Sequence, residues 1–248
     1  MSEEQKFPSE VVDLPSGGTI YGKDSPLSEG KIEIKYMTAK EEDILTSQNL
    51  IKKGVVIDKL LDSLILSEGV KCDDLILGDK NAVMVAARVL AYGPEYAASF
   101  PNPAGGADVT RTFDLTKCPF KKLPEDVTYF SNEFEFELPV AKNKIIYKVL
   151  TGKEEKLIEK ELNALEKNGL SGSVTTRLRY SIISIDGKTE ESYITNSVHT
   201  MLSRDSLALR NEIKRISPDI EMTQEVEIGG ETVAVDIPMT VNFFWPKA

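Results

Sequence analysis

The chain has 248 residues, of which 41% are hydrophobic and 28% are charged, a composition typical of a soluble globular protein with a sizeable core. Its formal net charge of −10 argues against nucleic acid as a partner, because phosphate binding needs a clustered cationic surface, and it also disfavours anionic membranes. No apolar run approaches the roughly 18 residues that span a bilayer, and the N-terminus shows no secretory pattern.

The first part of the chain alternates turns with one clear strand. Residues 1–18 are polar or turn-forming, and we predict an N-terminal arm there, loose over residues 1–13. Residues 31–37 alternate polar and apolar side chains, which is typical of a half-buried strand. Thr38 and Glu41 then have capping-box spacing, in which each side chain bonds to the other's backbone amide. A helix should therefore begin at Ala39 and run to about residue 49.

Two more helices and a hairpin are expected before residue 118. Apolar side chains at helical spacing predict a helix over residues 55–65. Asp79 is the predicted N-cap of the next helix, which should end at Gly93-Pro94. Strands at 95–100 and 109–115 predict a β-hairpin with a wide tip.

The second part of the chain repeats this order after an irregular linker, residues 119–132. Strands are predicted at 133–138 and 144–150, followed by a second capping box at Thr151 and Glu154 and a helix to Lys167. The buried stripe expected on that helix is Leu157, Ile158, Leu162 and Leu165.

Residues 174–185 fit a helix or a strand, and a short helix is expected over residues 192–202. Asp205 is the predicted N-cap of a helix that ends near Ser217-Pro218. Residues 222–228 and 232–237 should form a tight hairpin around Gly229-Gly230, since glycine tolerates the positive φ angles of such a turn.

One eight-residue stretch occurs twice in the chain. Residues 35–42, KYMTAKEE, and residues 148–155, KVLTGKEE, are identical at five positions, and the elements that follow them line up in the same order. We therefore predict an α+β fold of two pseudo-symmetric lobes, each a strand, helices and a β-hairpin, produced by tandem duplication. The alternative is that two unrelated amphipathic α+β stretches align in this way by chance. The predicted lobes are residues 19–118 and 133–248.

The search for catalytic chemistry finds little. Gly152-Lys153 lacks the glycine-rich lead-in of a phosphate loop, and the paired glutamates at 41–42 and 154–155 are explained by the helix dipole. Cys72 and Cys118 make neither a disulfide framework nor a metal set, so we expect free thiols in a reducing compartment. His199 alone remains as support for an enzyme. We predict no catalytic residue, no cofactor and no small-molecule substrate.

The C-terminal Phe243-Phe244-Trp245 is the most unusual local feature. Successive strand residues face opposite sides, so three aromatic residues in a row cannot all enter one core. Either at least one of them contacts a partner, or the tail folds back over both lobes. The other candidate partner contacts are the hairpin-tip residues Pro101, Pro103, Gly229 and Gly230.

Four stretches together resemble a known family. They are Lys31–Leu45, Gly78–Ala82, Leu150–Glu155 and Val241–Pro246, which read KIEIKYMTAKEEDIL, GDKNA, LTGKEE and VNFFWP. As an ordered set spanning residues 14–246, they are similar to baseplate hub proteins of T-even-like contractile-tail bacteriophages. The resemblance implies a subunit or assembly factor of the tail baseplate hub, whose partners are other tail proteins, and it implies no catalysis.

The chain departs from that family at both hairpin tips. Similar proteins often carry Cys-x-x-Cys-Gly there, a zinc-knuckle pattern. Here residues 100–105 and 227–231 contain no cysteine. We therefore predict that no metal is bound between the hairpins.

These observations lead to three hypotheses of function. The first is a non-enzymatic structural protein of the baseplate hub, found in the virion or, during assembly, in the host cytoplasm. The alternative is a hub assembly chaperone that is absent from the mature virion. The remote alternative is an unrecognised enzyme that uses His199.

Overall fold

The structure is a computed structural model, and it describes residues 8–101, 105, 107–228 and 230–244. These residues form a mixed α/β fold of eight α-helices and small antiparallel sheets. The helices are α1 Ala39–Thr46, α2 Gln48–Lys52, α3 Val56–Leu64, α4 Leu77–Tyr92, α5 Gly152–Lys167, α6 Ser173–Ser181, α7 Glu191–Thr200 and α8 Ser203–Ile216. The strands are β1 Ser9–Asp13, β2 Lys31–Lys35, β3 Glu95–Phe100, β4 Val109–Asp114, β5 Phe134–Glu137, β6 Lys144–Tyr147, β7 Ile182–Ile185, β8 Thr223–Ile228 and β9 Glu231–Asp236.

The strands pair as three two-stranded sheets and one three-stranded sheet. The pairs are β1–β2, β3–β4 and β8–β9, and the larger sheet has the order β5–β6–β7. In β2 the alternation seen in the sequence puts Ile32 and Ile34 in the core and leaves Lys31 and Glu33 exposed. Both predicted hairpins, β3–β4 and β8–β9, are present.

The prediction of an N-terminal arm is wrong for its described part. Residues 9–13 form β1, which pairs with β2 from Ser9–Lys35 to Asp13–Lys31. Leu14 and Ser16 are buried beyond it, and the Leu14 amide donates to the Gly30 carbonyl at 2.8 Å. The prediction was based on the polar side chains of this segment. A strand whose side chains are exposed can still be held in place by backbone hydrogen bonds to its neighbour.

Several helix predictions differ from the structure in detail. The helix expected over 39–49 is divided into α1 and α2 by Ser47, whose ψ is 102°. Residues 174–185 contain both alternatives, since α6 runs directly into β7. On α5 only Ile158 of the expected stripe is buried, and Leu157 is 51% exposed.

Among the described residues, the buried apolar side chains form two cores. The first contains β2, α3 and α4 together with the hairpin β3–β4. The second contains the β5–β6–β7 sheet with side chains from α6, α7 and α8. The C-terminal hairpin lies in the range predicted for the second lobe, yet Ile228, Val235 and Ile237 belong to the first core. A hydrophobic face is buried wherever apolar surface is nearest in space, whatever its place along the chain.

Candidate functional site: the seam between the two cores

Three segments from distant parts of the chain meet between the two cores, and we call this region the seam. They are residues 72–74, residues 75–81 at the start of α4, and residues 151–156 at the start of α5. A β-bridge joins Ile76 to Thr151, and the Gly152 amide donates to the Leu75 carbonyl at 2.9 Å. Two of the four stretches that carry the family resemblance therefore lie together in the seam.

Glycine is required at two seam positions because backbones approach closely. A Cβ on Gly78 would lie 1.9 Å from the Pro218 carbonyl oxygen. A Cβ on Gly152 would lie 2.9 Å from the Cα of Asp73. Since the opposing atoms are backbone, a side chain at Gly78 would force the segments apart.

The sequence predicted Asp79 as the N-cap of its helix, and this prediction is wrong. α4 begins two residues earlier, at Leu77, so the Asp79 carboxylate is free to bind another segment. It accepts hydrogen bonds from the Ser16 amide at 2.9 Å, the Ser16 hydroxyl at 2.6 Å and the Tyr21 hydroxyl at 2.6 Å. Asp79 is fully buried, and burial raises the pKa of its carboxyl although these hydrogen bonds oppose the shift.

Asp205 differs from the prediction in the same way. α8 begins at Ser203, and Asp205 is fully buried in its first turn. Its carboxylate accepts hydrogen bonds from the amides of Val140 at 2.8 Å and Ala141 at 3.1 Å. Asp79 and Asp205 thus both hold the loop that follows the first strand of their part of the chain.

A cluster of half-buried charges crosses the seam. The Asp58 carboxylate lies 2.5 Å from the Lys80 ammonium and 3.1 Å from the Lys156 ammonium, and Lys156 also lies 2.6 Å from Asp73. Burial opposes ionisation of Asp58, but its contacts with both lysines outweigh this and lower the pKa of its carboxyl. These ion pairs connect α3 and α4 to α5.

The same cluster brings together three groups that could ligate a metal. Ligand atoms of Asp58, Cys72 and Asp73 lie within 4.8 Å of one another, which the sequence spacing did not indicate. Two ammonium groups already sit against the two carboxylates. Burial raises the pKa of the Cys72 thiol to about 12, so it remains protonated. This arrangement favours a structural ion-pair network, because a divalent cation would meet two positive charges.

The capping boxes at Thr38/Glu41 and Thr151/Glu154 are confirmed. Each glutamate accepts a hydrogen bond from the threonine amide, at 2.9 Å in both cases. A lysine three residues before each threonine adds an ion pair: Lys35 to Glu41 at 2.8 Å, and Lys148 to Glu154 at 2.6 Å. Burial opposes ionisation of both glutamates, but these contacts outweigh it and lower the pKa of each carboxyl.

Two cavities open beside the seam, and Leu77, Glu155 and Arg177 line both. The smaller one, of about 220 Å³, has apolar side chains from Val149, Leu178 and Ile213. The larger one, of about 490 Å³, contains the Lys80 and Lys156 side chains.

The aromatic residues predicted as partner contacts are mostly internal. Phe243 and Phe244 are fully buried in the first core, with the Phe243 ring 5.0 Å from the Tyr96 ring and 5.6 Å from the Phe244 ring. Partner contact by these two side chains is therefore wrong. The tail does fold back onto the protein at these residues, but it covers the first core and not both lobes, as the alternative required. Trp245 lies outside the described residues.

A buried arginine fixes this C-terminal segment. Arg88 is 3% exposed, and it donates to the carbonyls of Phe243 at 3.0 Å, Gly93 at 3.2 Å and Glu95 at 3.3 Å. Its guanidinium also lies 5.0 Å from the centre of the Tyr92 ring. Carbonyl oxygens and aromatic rings thus satisfy a buried cation that has no carboxylate partner among the described residues.

The hairpin tips are only partly described. Pro101 and Gly230 are exposed, as a partner contact requires. Pro103 and Gly229 lie outside the described residues.

His199, the one residue named in the enzyme hypothesis, lies exposed on α7. Cys72 and Cys118 are free thiols, and both are buried. Burial raises the pKa of both thiols, which leaves them poor nucleophiles at neutral pH.

Sequence reasoning missed two charged residues of α4. Lys80 belongs to the charged cluster of the seam, and Arg88 fixes the C-terminal segment. A charge among the apolar residues of a helix, as at Arg88, indicates a buried group that needs partners. That signal shows that partners are needed, but their identity depends on the tertiary structure.

Comparison with protein-family models, curated proteins and solved structures finds no match to this chain. Across the described ranges, every helix is too short or too polar to cross a bilayer.

Proposed function

We propose that this chain is a non-enzymatic structural protein of the tail baseplate hub of a contractile-tail phage. It acts through contacts with other tail proteins, in the virion or in the host cytoplasm during assembly. The observation that carries the proposal is that polar side chains of two family-like stretches, GDKNA and LTGKEE, bond to other parts of the same chain.

Both of these stretches hold distant segments together. In GDKNA, Asp79 holds the Ser16 loop, Lys80 pairs with Asp58, and Asn81 donates to Asp219 at 3.0 Å. In LTGKEE, Lys153 pairs with Asp74 at 2.5 Å and Glu155 with Arg177 at 2.7 Å. A reaction centre needs polar groups that are free to contact a substrate. These side chains instead bond to other parts of the chain, which favours a rigid scaffold.

We further propose that the chain arose by tandem duplication and has two pseudo-symmetric lobes. Support comes from three repeated features. The capping boxes carry the same lysine contact, a buried aspartate holds a loop in each half, and those loops begin with Leu14-Pro15 and Leu138-Pro139. Both halves also run from paired strands through helices to a two-stranded hairpin. An experimental structure in which residues 9–118 and 133–237 fail to superpose in element order would refute the duplication.

The function is tested by purifying a tagged copy from cells that produce phage tails and identifying the bound proteins by mass spectrometry. We expect tail proteins to be retained, and in a phage lacking this gene we expect tails without complete baseplates in electron micrographs. Complementation by His199→Ala should equal complementation by the wild type. Loss of phage yield in that variant with its fold intact would favour the enzyme hypothesis.

Mass spectrometry of purified virions separates the structural protein from the assembly chaperone. A structural subunit is present in a fixed number of copies per particle, whereas a chaperone is absent from the finished particle. The same sample also tests the localisation proposed above.

A further inference from the structure

The C-terminal hairpin β8–β9 presents a strand edge with no partner among the described residues. Its inner face packs on the first core through Ile228 and Val235. On the β8 side, Arg111 of β4 donates from Nε and Nη2 to the Glu227 carbonyl, at 3.2 and 2.6 Å. β9 is paired with β8 alone, so its other edge is open.

The register shows which backbone groups this edge offers. The Ile237 amide donates to the Met222 carbonyl at 3.0 Å, and hydrogen-bonded and non-bonded pairs alternate along an antiparallel ladder. The amides and carbonyls of Thr232, Ala234 and Asp236 therefore point away from β8. All three residues are exposed, and no described group bonds to those backbone atoms.

The same hairpin is strongly acidic. Residues 218–244 contain six acidic residues and no lysine, arginine or histidine. Five of them are exposed and form no ion pair with any described cation: Glu221, Glu225, Glu227, Glu231 and Asp236. Glu225 and Glu227 share the exposed face with Thr232, Ala234 and Asp236, because side chains of non-bonded pairs lie on one side of the sheet.

This edge lacks the usual protection against strand addition. Exposed edges are commonly blocked by lysine, proline or a β-bulge, and residues 231–236 have no lysine or proline and keep a regular register. A second copy of the chain is an unfavourable occupant, because pairing two β9 edges would bring two sets of carboxylates together. A basic segment has the complementary charge.

We propose that β9 is a docking edge for an extended, basic segment of a partner protein. The segment adds to the sheet as a strand, bonds to the outward amides and carbonyls of β9, and places lysine or arginine side chains against Glu225, Glu227 and Asp236. Backbone pairing supplies the affinity and the carboxylates select the charge. This inference rests on the proposed function as a contact protein and names the chemistry of one partner.

The test is a fluorescence-anisotropy titration with a labelled peptide, Val-Lys-Val-Lys-Thr-Lys-Val-Lys. One control peptide replaces every lysine by glutamate, and another keeps the lysines but replaces the intervening residues by proline. The key variant is Ala234→Pro, which removes an outward amide without removing a β8–β9 hydrogen bond. Ala234→Thr is the matched control because it retains that amide.

We expect the basic peptide to bind the wild type and the Ala234→Thr variant alike, and to bind Ala234→Pro at least tenfold more weakly. The Glu225→Gln/Glu227→Gln variant should bind about threefold to tenfold more weakly, with a shallower salt dependence. Neither control peptide should bind. Equal binding to wild type and Ala234→Pro, equal binding of the proline peptide, or no binding of the basic peptide overturns the proposal.

If Ala234→Pro does not fold, hydrogen exchange on the wild type decides the question. Slower exchange of the Thr232, Ala234 and Asp236 amides with the basic peptide supports the edge, and unchanged exchange overturns it. Purification from phage-producing cells separates this inference from the proposed function. If wild type and Ala234→Pro retain the same tail proteins, the edge proposal fails while the function stands. If the wild type retains none, the function fails and the peptide titration alone decides the edge.

Discussion

Replacing Asp79 by alanine should destabilise the protein more than most single substitutions. The change leaves the Ser16 amide, the Ser16 hydroxyl and the Tyr21 hydroxyl without their acceptor in a fully buried site. A hydrogen bond to a charged group contributes about 1.5–3 kcal/mol, but desolvation of the buried carboxylate offsets part of the sum. We therefore expect the free energy of unfolding to fall by about 3–5 kcal/mol.

Urea denaturation followed by circular dichroism measures this loss. With a slope of about 3 kcal/mol per molar urea for a chain of this size, the midpoint should fall by about 1–1.7 M. Asp79→Asn is the matched control, since an amide oxygen can still accept from Ser16 and both hydroxyls can rotate to accept from its amide nitrogen. We expect it to cost about 1–2 kcal/mol. A loss below about 1 kcal/mol in Asp79→Ala would refute the assignment of Asp79 as the acceptor that holds the Ser16 loop.

The difference in stability between the wild type and Asp79→Asn should depend on pH with a definite sign. Burial raises the pKa of Asp79 above its ordinary value of 3.8, so the folded state holds this proton more tightly than the unfolded state. The stabilisation linked to that proton is complete below pH 3.8 and is lost as pH rises through the folded-state pKa. The stability of the wild type relative to Asp79→Asn should therefore decrease as pH rises through this window. An increase would contradict the direction of the shift.

Three further predictions follow from the joints and the core. Lys35→Met and Lys148→Met should lower the free energy of unfolding by similar amounts, about 1–2 kcal/mol each at pH 7. The difference from wild type should shrink below pH 4.5, because each partner glutamate is protonated as pH falls through its lowered pKa. Urea midpoints across that pH range check this, and unequal losses would contradict the equivalence of the two joints. Gly78→Ala should cost more than about 3 kcal/mol or prevent folding, because its Cβ would meet a backbone carbonyl, while Gly22→Ala has open space and should be neutral. Thermal melting of the two variants compares them, and equal melting temperatures would contradict the close approach in the seam. Phe243→Ala should cost about 3–5 kcal/mol by leaving a cavity in the first core, and a stability within about 1 kcal/mol of wild type would show that the segment is not packed there.

Local signals were strong enough to predict most elements of the fold. Both capping boxes and both hairpins depend on residues close in sequence, and both are present where the sequence put them. The sequence predicted the starts of two helices wrongly, because aspartate is favoured both at the N-cap and within the first turn of a helix. Asp79 and Asp205 fit the spacing of an N-cap, yet both lie inside the first turn of their helices.

The candidate seam and the partition of the cores depended on the tertiary structure. Asp79 and Ser16 are 63 residues apart, and Arg88 and Phe243 are 155 apart, so no sequence window contains both members. The apolar residues of the C-terminal hairpin and Phe243-Phe244 indicated that these segments bury side chains. Only the packing of the folded chain shows that they join the first core. The sequence by itself determined the short-range structure, because capping and turn chemistry act within a few residues. Only the tertiary structure determined which distant charges pair, since burying a charge is tolerated only where the folded chain supplies its partner.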